Sequence, residues 1–512
     1  MPPQEASSGS VAAIVEIGSS IVRMRIVHLA DAGWHEVDML EQSVRIGREV
    51  FTARRISFDS VAALSRILSG FSRVMKEYGV SRTRVIATTA LREAENRDYV
   101  IDLLRVQNGI SIDVLEEAAE SAFAFGRILN RHPEAVRPAG TLMAYLGTGN
   151  VGLAYARDHR VLFSSSLPTG IQRLNDLLSG IQDQTSHYHD VLEEYVRTVV
   201  NHARIHLEGL GIEGLVLNGR HLPQIAALCG AVRTDGVFRV ARPALRELYS
   251  RIRERTTVTA SASEEGEGLF PLLAVVMELL SLCRSEEVLI PDFDISDVVI
   301  DNMNSRETRA LHHETMRLNA LESARHMAAA YRCDLAHADL VAQCALHIFD
   351  SLRKPHGLGR RARLLLEVSA WLHDVGYFVN ARNHRAIAFE LLRGTTLFGL
   401  GEHDMFLIAC IAGFDEYESS VDRFRTLPFT EDKDRIIATK LAAILQLANA
   451  LDQSHTQRLE DPRAELEDGR LTIRCRSLSD AVLERWALKR WTSAFEDVFG
   501  VQPELVVETT LL

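Results

Sequence analysis

The chain is poor in the residues that would mark a stapled, fibrous or membrane-spanning protein. Only six cysteines occur in 512 residues (Cys229, Cys283, Cys333, Cys344, Cys410 and Cys475). None forms a C-x-x-C pair, which excludes a disulfide framework and a cysteine-ligated zinc ribbon and leaves reduced, mostly buried thiols. The longest apolar run, Leu269 to Cys283, is interrupted by Glu278 and falls short of the roughly 20 residues that span a bilayer. It predicts a buried helix. Positive charge is also in deficit: 57 Lys and Arg face 69 Asp and Glu, for a net charge of −12 and a pI near 5.9. That balance argues against a broad basic face, so neither DNA or RNA nor a membrane is expected as a partner. A polyanion remains compatible if arginines gather in a cleft. The opening residues, MPPQEASSGS, lack the basic and apolar regions of a secretory signal, so a cytoplasmic location is expected.

What is present reads as several ordinary globular domains. At about 100–200 residues each, the length allows three or four. The first half alternates strand and helix signals, which argues for α/β layers. VAAIVEIG and VRMRIVHL flank a Gly-Ser-Ser turn as a hairpin; RVIATTA and SIDVL each lead into helical segments; TLMAYLG-TGN-VGLAYA is a second hairpin, followed by the strand VLFSSSL. The two hairpins align, with Glu16 opposite Tyr145, Gly18 opposite Gly147 and Ser20 opposite Gly149. Such a repeat fits a cleft between duplicated halves, with turn amides able to hold an anion. It also fits two tight hairpins that merely need small residues.

After Asn304 the pattern becomes helical. HETMRLNALESARHMAAAY, LVAQCALHIFDSL, RLLLEVSAWLHDVGYFV and KLAAILQLANALDQS carry apolar residues at helical spacing. RAELEDGRLTIRCR reads as a hairpin within a small α+β tail. The resulting division is 1–130 and 131–304 for two α/β domains, 305–455 for a helical domain and 456–512 for the tail.

The order of segments resembles the exopolyphosphatase/guanosine pentaphosphate phosphohydrolase (Ppx/GppA) family. IVEIGSSIVRM, ATTALREAEN, VLEEAAESAFAFG, AYLGTGNVGL and SLPTGIQRL follow the family's IDIGSNSVRL, ATxAxRxAxN, ISGxEEAxxxF, DIGGGSTEL and SxxLGxxRL. The resemblance covers essentially the whole chain. It implies two actin-like (ribonuclease H-like) α/β domains around a cleft, an HD-type helical domain and the small tail. It also implies a bacterial, cytoplasmic homodimer.

Residue by residue, it implies phosphate binding by Gly18, Ser19, Ser20, Arg92, Gly147, Thr148, Gly149, Asn150 and Gly219. Thr88 and Asn96 match beside Arg92, whose guanidinium suits phosphate oxygens. Glu120 aligns with the glutamate that activates the attacking water, which needs a carboxylate within hydrogen-bond reach. Glu116, Glu117 and Glu120 also share a helix face, which a solvated acidic surface would explain as well.

Several family positions are altered. Glu16 replaces an Asp, Tyr145 replaces a second Asp and Gly152 replaces a Glu; Ile21 stands where the family has Ser. Both carboxylates lost at 145 and 152 are associated with Mg²⁺, for which a phenol is a poor substitute. Weakened hydrolysis follows, with restoration expected from Tyr145→Asp plus Gly152→Glu. In the helical half His337, the pair His373-Asp374, and Asp452 reproduce the H…HD…D order of HD-type phosphohydrolases. These four suit one divalent transition metal such as Mn²⁺. His384 matches a further family histidine, whereas Ile387 and Asp415 stand where two others are expected, so one metal is favoured over two.

The implied function is removal of terminal phosphate from inorganic polyphosphate or guanosine pentaphosphate. Two other readings stay open: a polyphosphate- or guanosine polyphosphate-binding regulator that no longer hydrolyses, and a phosphohydrolase acting through the HD-type metal.

Overall fold

The computed structural model describes residues 10–31, 33–182, 187–258, 264–413, 427, 429, 431–477 and 480–509. Asp415 lies outside them. The chain divides into two compact units, Met1–Met316 and Arg317–Leu512.

The first unit contains two sheets of like topology. In one, β1 (Ser10–Ile17), β2 (Ile21–Ala30), β3 (Gly33–Ser43), β4 (Arg82–Ala87) and β5 (Asp113–Val114) are ordered β3-β2-β1-β4-β5. The first three are antiparallel and the last two run parallel to β1. The second sheet holds β6 (Thr141–Leu146), β7 (Val151–Arg157), β8 (Arg160–Leu167), β9 (Gly214–Asn218), β10 (Arg233–Thr234), β11 (Val237–Ala241) and β12 (Glu287–Pro291). Its order is β10-β11-β12-β9-β6-β7-β8. Reading β6, β7, β8, β9 and β12 as the counterparts of β1 to β5 reproduces the first sheet, with β11 and β10 added at one edge. Both lobes thus carry the ribonuclease H-like order of actin-like domains.

Each lobe has its own apolar core. In the first, β1 and β2 pack against the Phe58–Glu77 helix through Val15, Met24, Leu64 and Leu68. In the second, Leu142, Leu153 and Leu217 meet Val196, Val200 and Val276. The Leu269 to Cys283 run forms most of the helix Glu264–Ser281, with Leu273, Val276 and Leu279 fully buried. The helix Ile295–Asn304 leaves the second lobe and is tied to the first by charge. Arg25 Nη1 donates to Asp297 at 2.7 Å and Trp34 Nε1 donates to Asp301 at 2.8 Å, while Arg23 pairs with Asp294 and Arg127 with Asp301. Asp294, Asp297 and Asp301 follow helical spacing, so one side of the segment meets this cationic set.

The second unit is mainly helical. Asp334 caps the helix Leu335–Ser351 by accepting from the amides of Ala336 and His337, both at 3.1 Å. The helices Arg360–Leu372, His384–Arg393, Glu402–Ala412 and Asp432–Ala450 surround it. The predicted RAELEDGRLTIRCR hairpin forms as β13 (Glu460–Glu467) and β14 (Arg470–Ser477). A crossover through the helix Val482–Phe499 then places β15 (Gln502–Thr509) parallel to β14. Leu471, Ile473, Phe495 and Leu505 belong to the same continuous core as Leu366, Leu445 and Ile348. No helix among the described residues is long and apolar enough to cross a membrane.

Candidate functional site

The equivalence of the two hairpins extends to single hydrogen bonds. Gly18 N donates to Ile21 O and Gly147 N donates to Asn150 O, each at 2.9 Å. The turns meet, with Thr148 Oγ1 donating to Ser19 Oγ at 3.2 Å. Behind the second turn, Gly170 approaches so closely that a Cβ there would lie 2.3–2.4 Å from backbone atoms of Thr148, Gly149 and Asn150. Only glycine fits that contact. It lets Gly170 N donate to Gly149 O, and Gln172 N to Thr148 O.

Between the lobes lies a cavity of about 60 Å³, large enough to admit water. Gly18, Ser19, Ser20, Gly147, Thr148 and Gly219 line it, together with Glu16, Glu120 and Tyr145. Arg92, Gly149 and Asn150 are not among the lining residues. The Arg92 guanidinium instead donates to Leu115 O at 2.7 Å, to Glu120 Oε2 at 3.1 Å and to Thr89 Oγ1 at 3.1 Å.

The cavity also gathers residues that sequence reasoning did not single out. Arg23, Arg220, His221, Asn218 and Asp294 all line it. Arg23 Nε and Arg220 Nη2 share Glu41 Oε1, at 2.6 and 2.5 Å. Asn218 donates to Pro291 O and Phe293 O, at 3.1 and 3.0 Å, while its buried Oδ1 has no partner among the described residues. Arg23 lies opposite Glu16 in the β1–β2 register. A strand arginine facing a strand glutamate across the hairpin is the one available signal. Arg220, Asn218 and Asp294 reach the cleft through parallel strand pairing and lobe packing, which no local pattern encodes.

Electrostatics here disfavour a family-type magnesium site. Burial pushes the Glu16 carboxyl up to about 7, with Asp294 adding and Arg23 and Arg220 opposing. The Tyr145 phenol, raised by burial and then by Glu120, donates to Glu120 Oε1 at 3.2 Å. Glu120 therefore has one oxygen on a phenol and the other on Arg92, and Asp294 is paired with Arg23. Magnesium needs exposed carboxylate oxygens together with retained waters. These residues do not fit it. Gly152 explains why the second carboxylate is gone: a Cβ there would meet Ser121 Oγ at 2.1 Å and Ser121 Cβ at 2.7 Å. The two-residue restoration expected from sequence would bring a side chain at 152 against Ser121.

The helical unit holds a second candidate. His337 sits in the first turn of its helix, His373 and Asp374 follow the helix Arg360–Leu372, and Asp452 follows the helix Asp432–Ala450. All four are buried. His373 Nδ1 is 2.8 Å from Ala370 O, so it carries the proton. His337 Nδ1 is 2.9 Å from Asp452 Oδ2 and likewise donates. The two Nε2 atoms face each other at 3.3 Å, and the Asn449 side-chain oxygen, an acceptor, lies 3.0 Å from that of His337. Burial pushes His373 down to about 4, so its Nε2 bears a lone pair near neutral pH.

Asp374 closes the group, 3.8 Å from His337 Nε2 and 3.5 Å from His373 Nε2. Burial opposes its ionisation, but His373, His337, His455 and Arg385 outweigh it and hold its pKa below the ordinary value. Asp452 lies behind His337. Its oxygens accept from His337 and from Gln457 Nε2, Gln457 N and Thr456 N, at 2.8–3.2 Å. A carboxylate so placed fixes the tautomer and orientation of an imidazole. The donor set fits a divalent transition ion held by His337, His373 and Asp374. His384 stacks on Tyr377, with ring centroids 3.9 Å apart.

Comparison with known proteins agrees with the order of motifs. Residues 25–267 match the Ppx/GppA phosphatase family, and residues 321–496 match Ppx/GppA phosphatase, domain III. Exopolyphosphatase 1 of Mycobacterium leprae is 25% identical over 174 residues, 31% of this chain and 47% of that protein. Exopolyphosphatase 2 of Mycobacterium tuberculosis is 25% identical over 173 residues, 32% of this chain and 53% of the relative. The chain spans about half the length of the curated relatives it matches. Among solved structures, the Aquifex aeolicus Ppx/GppA family member has a TM-score of 0.46 at 16% identity, covering 58% of this chain and 98% of that one. An exopolyphosphatase from Cytophaga hutchinsonii has a TM-score of 0.49 at 15% identity, with the same coverage. With both sequence patterns matched in order along most of its length, the chain belongs to the Ppx/GppA phosphatase family.

Proposed function

We propose that the cleft binds the phosphate end of inorganic polyphosphate or of a guanosine polyphosphate and removes its terminal phosphate at a weakened rate. The observation that carries this reading is the pair of equivalent turns facing one cavity with Glu120, Arg23 and Arg220. Turn amides and hydroxyls suit an oxyanion, and the two arginines supply the positive charge that the chain otherwise lacks. Glu120 takes the proton from the attacking water. To do so it must first part from the Tyr145 hydroxyl or from Arg92, and this is the source of the weakened rate. Arg92 holds Glu120 in place in the resting protein and is freed toward the phosphate when the two separate. Phosphate release from polyphosphate and from guanosine pentaphosphate, each with Mg²⁺, Mn²⁺ or chelator, tests the reading. Glu120→Gln should lower kcat at least tenfold; an unchanged kcat would remove Glu120 from the mechanism.

A second reading has its own observation, the facing Nε2 atoms of His337 and His373. With the His373 Nε2 lone pair free, the contact is satisfied either by a proton on His337 Nε2, for which Asn449 Oδ1 is a second acceptor at 3.0 Å, or by a cation between the rings. We propose that an HD-type domain, with His337, His373 and Asp374 as ligands and Asp452 as orienting carboxylate, holds one divalent ion such as Mn²⁺. Such an ion would polarise a phosphoryl oxygen or a bound water when present. Elemental analysis of protein purified without chelator, beside Asp374→Ala, tests it; equal substoichiometric metal in both would overturn it.

A further inference from the structure

The two arginines at the cleft are already engaged. Arg23, on β2, lies opposite Glu41 on the outer strand β3, and its Nε donates to Glu41 Oε1 at 2.6 Å. Arg220 comes from the other lobe, two residues beyond Asn218 at the end of β9. Gly219 makes that exit possible: its φ is +156°, and a Cβ there would lie 2.6 Å from Leu146 O. Arg220 Nη2 then donates to the same Glu41 oxygen at 2.5 Å. A single carboxylate oxygen thus gathers guanidiniums from both lobes.

The two cations depend on Glu41 unequally. Arg23 is also paired with Asp294, and its side chain is only 10% exposed. For Arg220, Glu41 is the only carboxylate partner among the described residues, and the two side chains are 33% and 36% exposed. Partial burial opposes ionisation of Glu41, but Arg23 and Arg220 outweigh it and hold the carboxyl below its usual range, so it is anionic near neutral pH. An ion pair this exposed is weak and exchanges readily. Phosphate oxygens carry more charge than one carboxylate and accept the guanidinium fork through two N–H groups at once. Arg23 and Arg220 line the cavity, whereas Glu41 is not among its lining residues.

Resting on the cleft reading above, we infer that Glu41 is a resting-state competitor for the substrate: it occupies the Arg220 guanidinium until the phosphate end of the substrate takes that arginine over. Arg23, kept in place by Asp294, stays at the cavity throughout. Glu41 therefore lowers affinity for the polyanion, and it receives Arg220 again when product leaves.

Calorimetric titration of the full chain with inorganic tripolyphosphate in the presence of chelator tests the assignment. Glu41→Gln and Glu41→Ala should each bind it at least fivefold tighter than wild type. Glu36→Gln, which takes a carboxylate of the same strand from Arg25, should stay within twofold. Arg220→Ala should weaken binding, and adding Glu41→Gln to it should change affinity by less than twofold, because the competition acts through that arginine. Suppose tripolyphosphate binds wild type and weakens on Arg220→Ala. If neither Glu41 variant then binds tighter, if Glu36→Gln gains as much, or if the gain persists in Arg220→Ala, Glu41 does not compete for Arg220 and this inference fails alone. Should neither wild type nor the Glu41 variants bind, the cleft reading fails with it.

Discussion

The Gly152–Ser121 contact makes a quantitative prediction about the eroded cleft. An alanine at 152 lies in the middle of a paired strand, where replacing glycine normally stabilises by about 0.4–1 kcal/mol through the unfolded chain. Here its Cβ would sit 2.1 Å from Ser121 Oγ and 2.7 Å from Ser121 Cβ, with Phe125 Cζ at 3.8 Å. Turning the serine hydroxyl removes the first clash and leaves the second, because Cβ is fixed by the helix Glu117–Arg131. Overpacking of this kind costs about 1–3 kcal/mol, which exceeds the entropic gain.

Gly152→Ala should therefore destabilise the protein by about 1–2 kcal/mol in urea unfolding of the first transition. Ser121→Ala should relieve little of this, since it keeps Cβ. Ser121→Gly should relieve nearly all of it, giving a coupling of at least about 1 kcal/mol in the double-mutant cycle. Phosphate-release assays should follow the same order. Tyr145→Asp with Gly152→Glu should not recover turnover, whereas adding Ser121→Gly should. A Gly152→Ala protein as stable as wild type, or equal relief by Ser121→Ala and Ser121→Gly, would refute the steric argument.

Two further outcomes follow from charge. Glu16, raised from 4.5 to about 7, is neutral below that pH and anionic above it, so polyphosphate affinity should fall as pH rises through 7 and become flat in Glu16→Gln, measured by titration calorimetry. Because the folded protein holds this proton more tightly than the unfolded chain, stability should decline from pH 4.5 to 7 and level off above, by roughly 3 kcal/mol at most; a Glu16→Gln protein no more stable at pH 8 than wild type would contradict this. Asp301→Ala leaves Arg127 and Trp34 Nε1 without their partner, and should cost about 2–4 kcal/mol in urea unfolding, given that the arginine is mostly buried.

Much of this architecture is legible in the sequence because its signals are local. Period-two runs on either side of Gly-Ser-Ser and Gly-Thr-Gly-Asn turns specify hairpins, and their alignment alone locates the duplication. Less legible are the contacts that parallel pairing makes between distant segments. Asn218 reaches the cleft because β9 pairs with β6, and Asp294 reaches it through a helix that crosses to the other lobe. The motif around Arg92 reads as a phosphate ligand, yet the bonds of that arginine to Leu115, Thr89 and Glu120 follow from the fold of the Glu117–Arg131 helix. The stacking of His455 on His337 escapes sequence reasoning because it depends on a left-handed backbone conformation, which residue type does not announce.

The two candidate sites also show why matched residues carry unequal weight. Tyr145 and Gly152 are directly paired across the β6–β7 hairpin, and Gly152 abuts Ser121. These positions therefore form a linked set, in which the Tyr145 phenol donates to Glu120. In the helical unit, each buried group is satisfied by another: Asp452 by His337, Gln457 and Thr456, and His373 by Ala370. Mutual satisfaction alone would preserve most of this quartet, since removing one partner leaves another buried and unpaired at a cost of about 1–3 kcal/mol. Retention of the H…HD…D order is thus weak evidence for an ion. What the cluster adds is geometry: two Nε2 atoms 3.3 Å apart, beside the Asn449 side-chain oxygen and the Asp374 carboxylate, form a gap that either a proton on His337 Nε2 or a divalent cation would fill, and metal analysis separates the two.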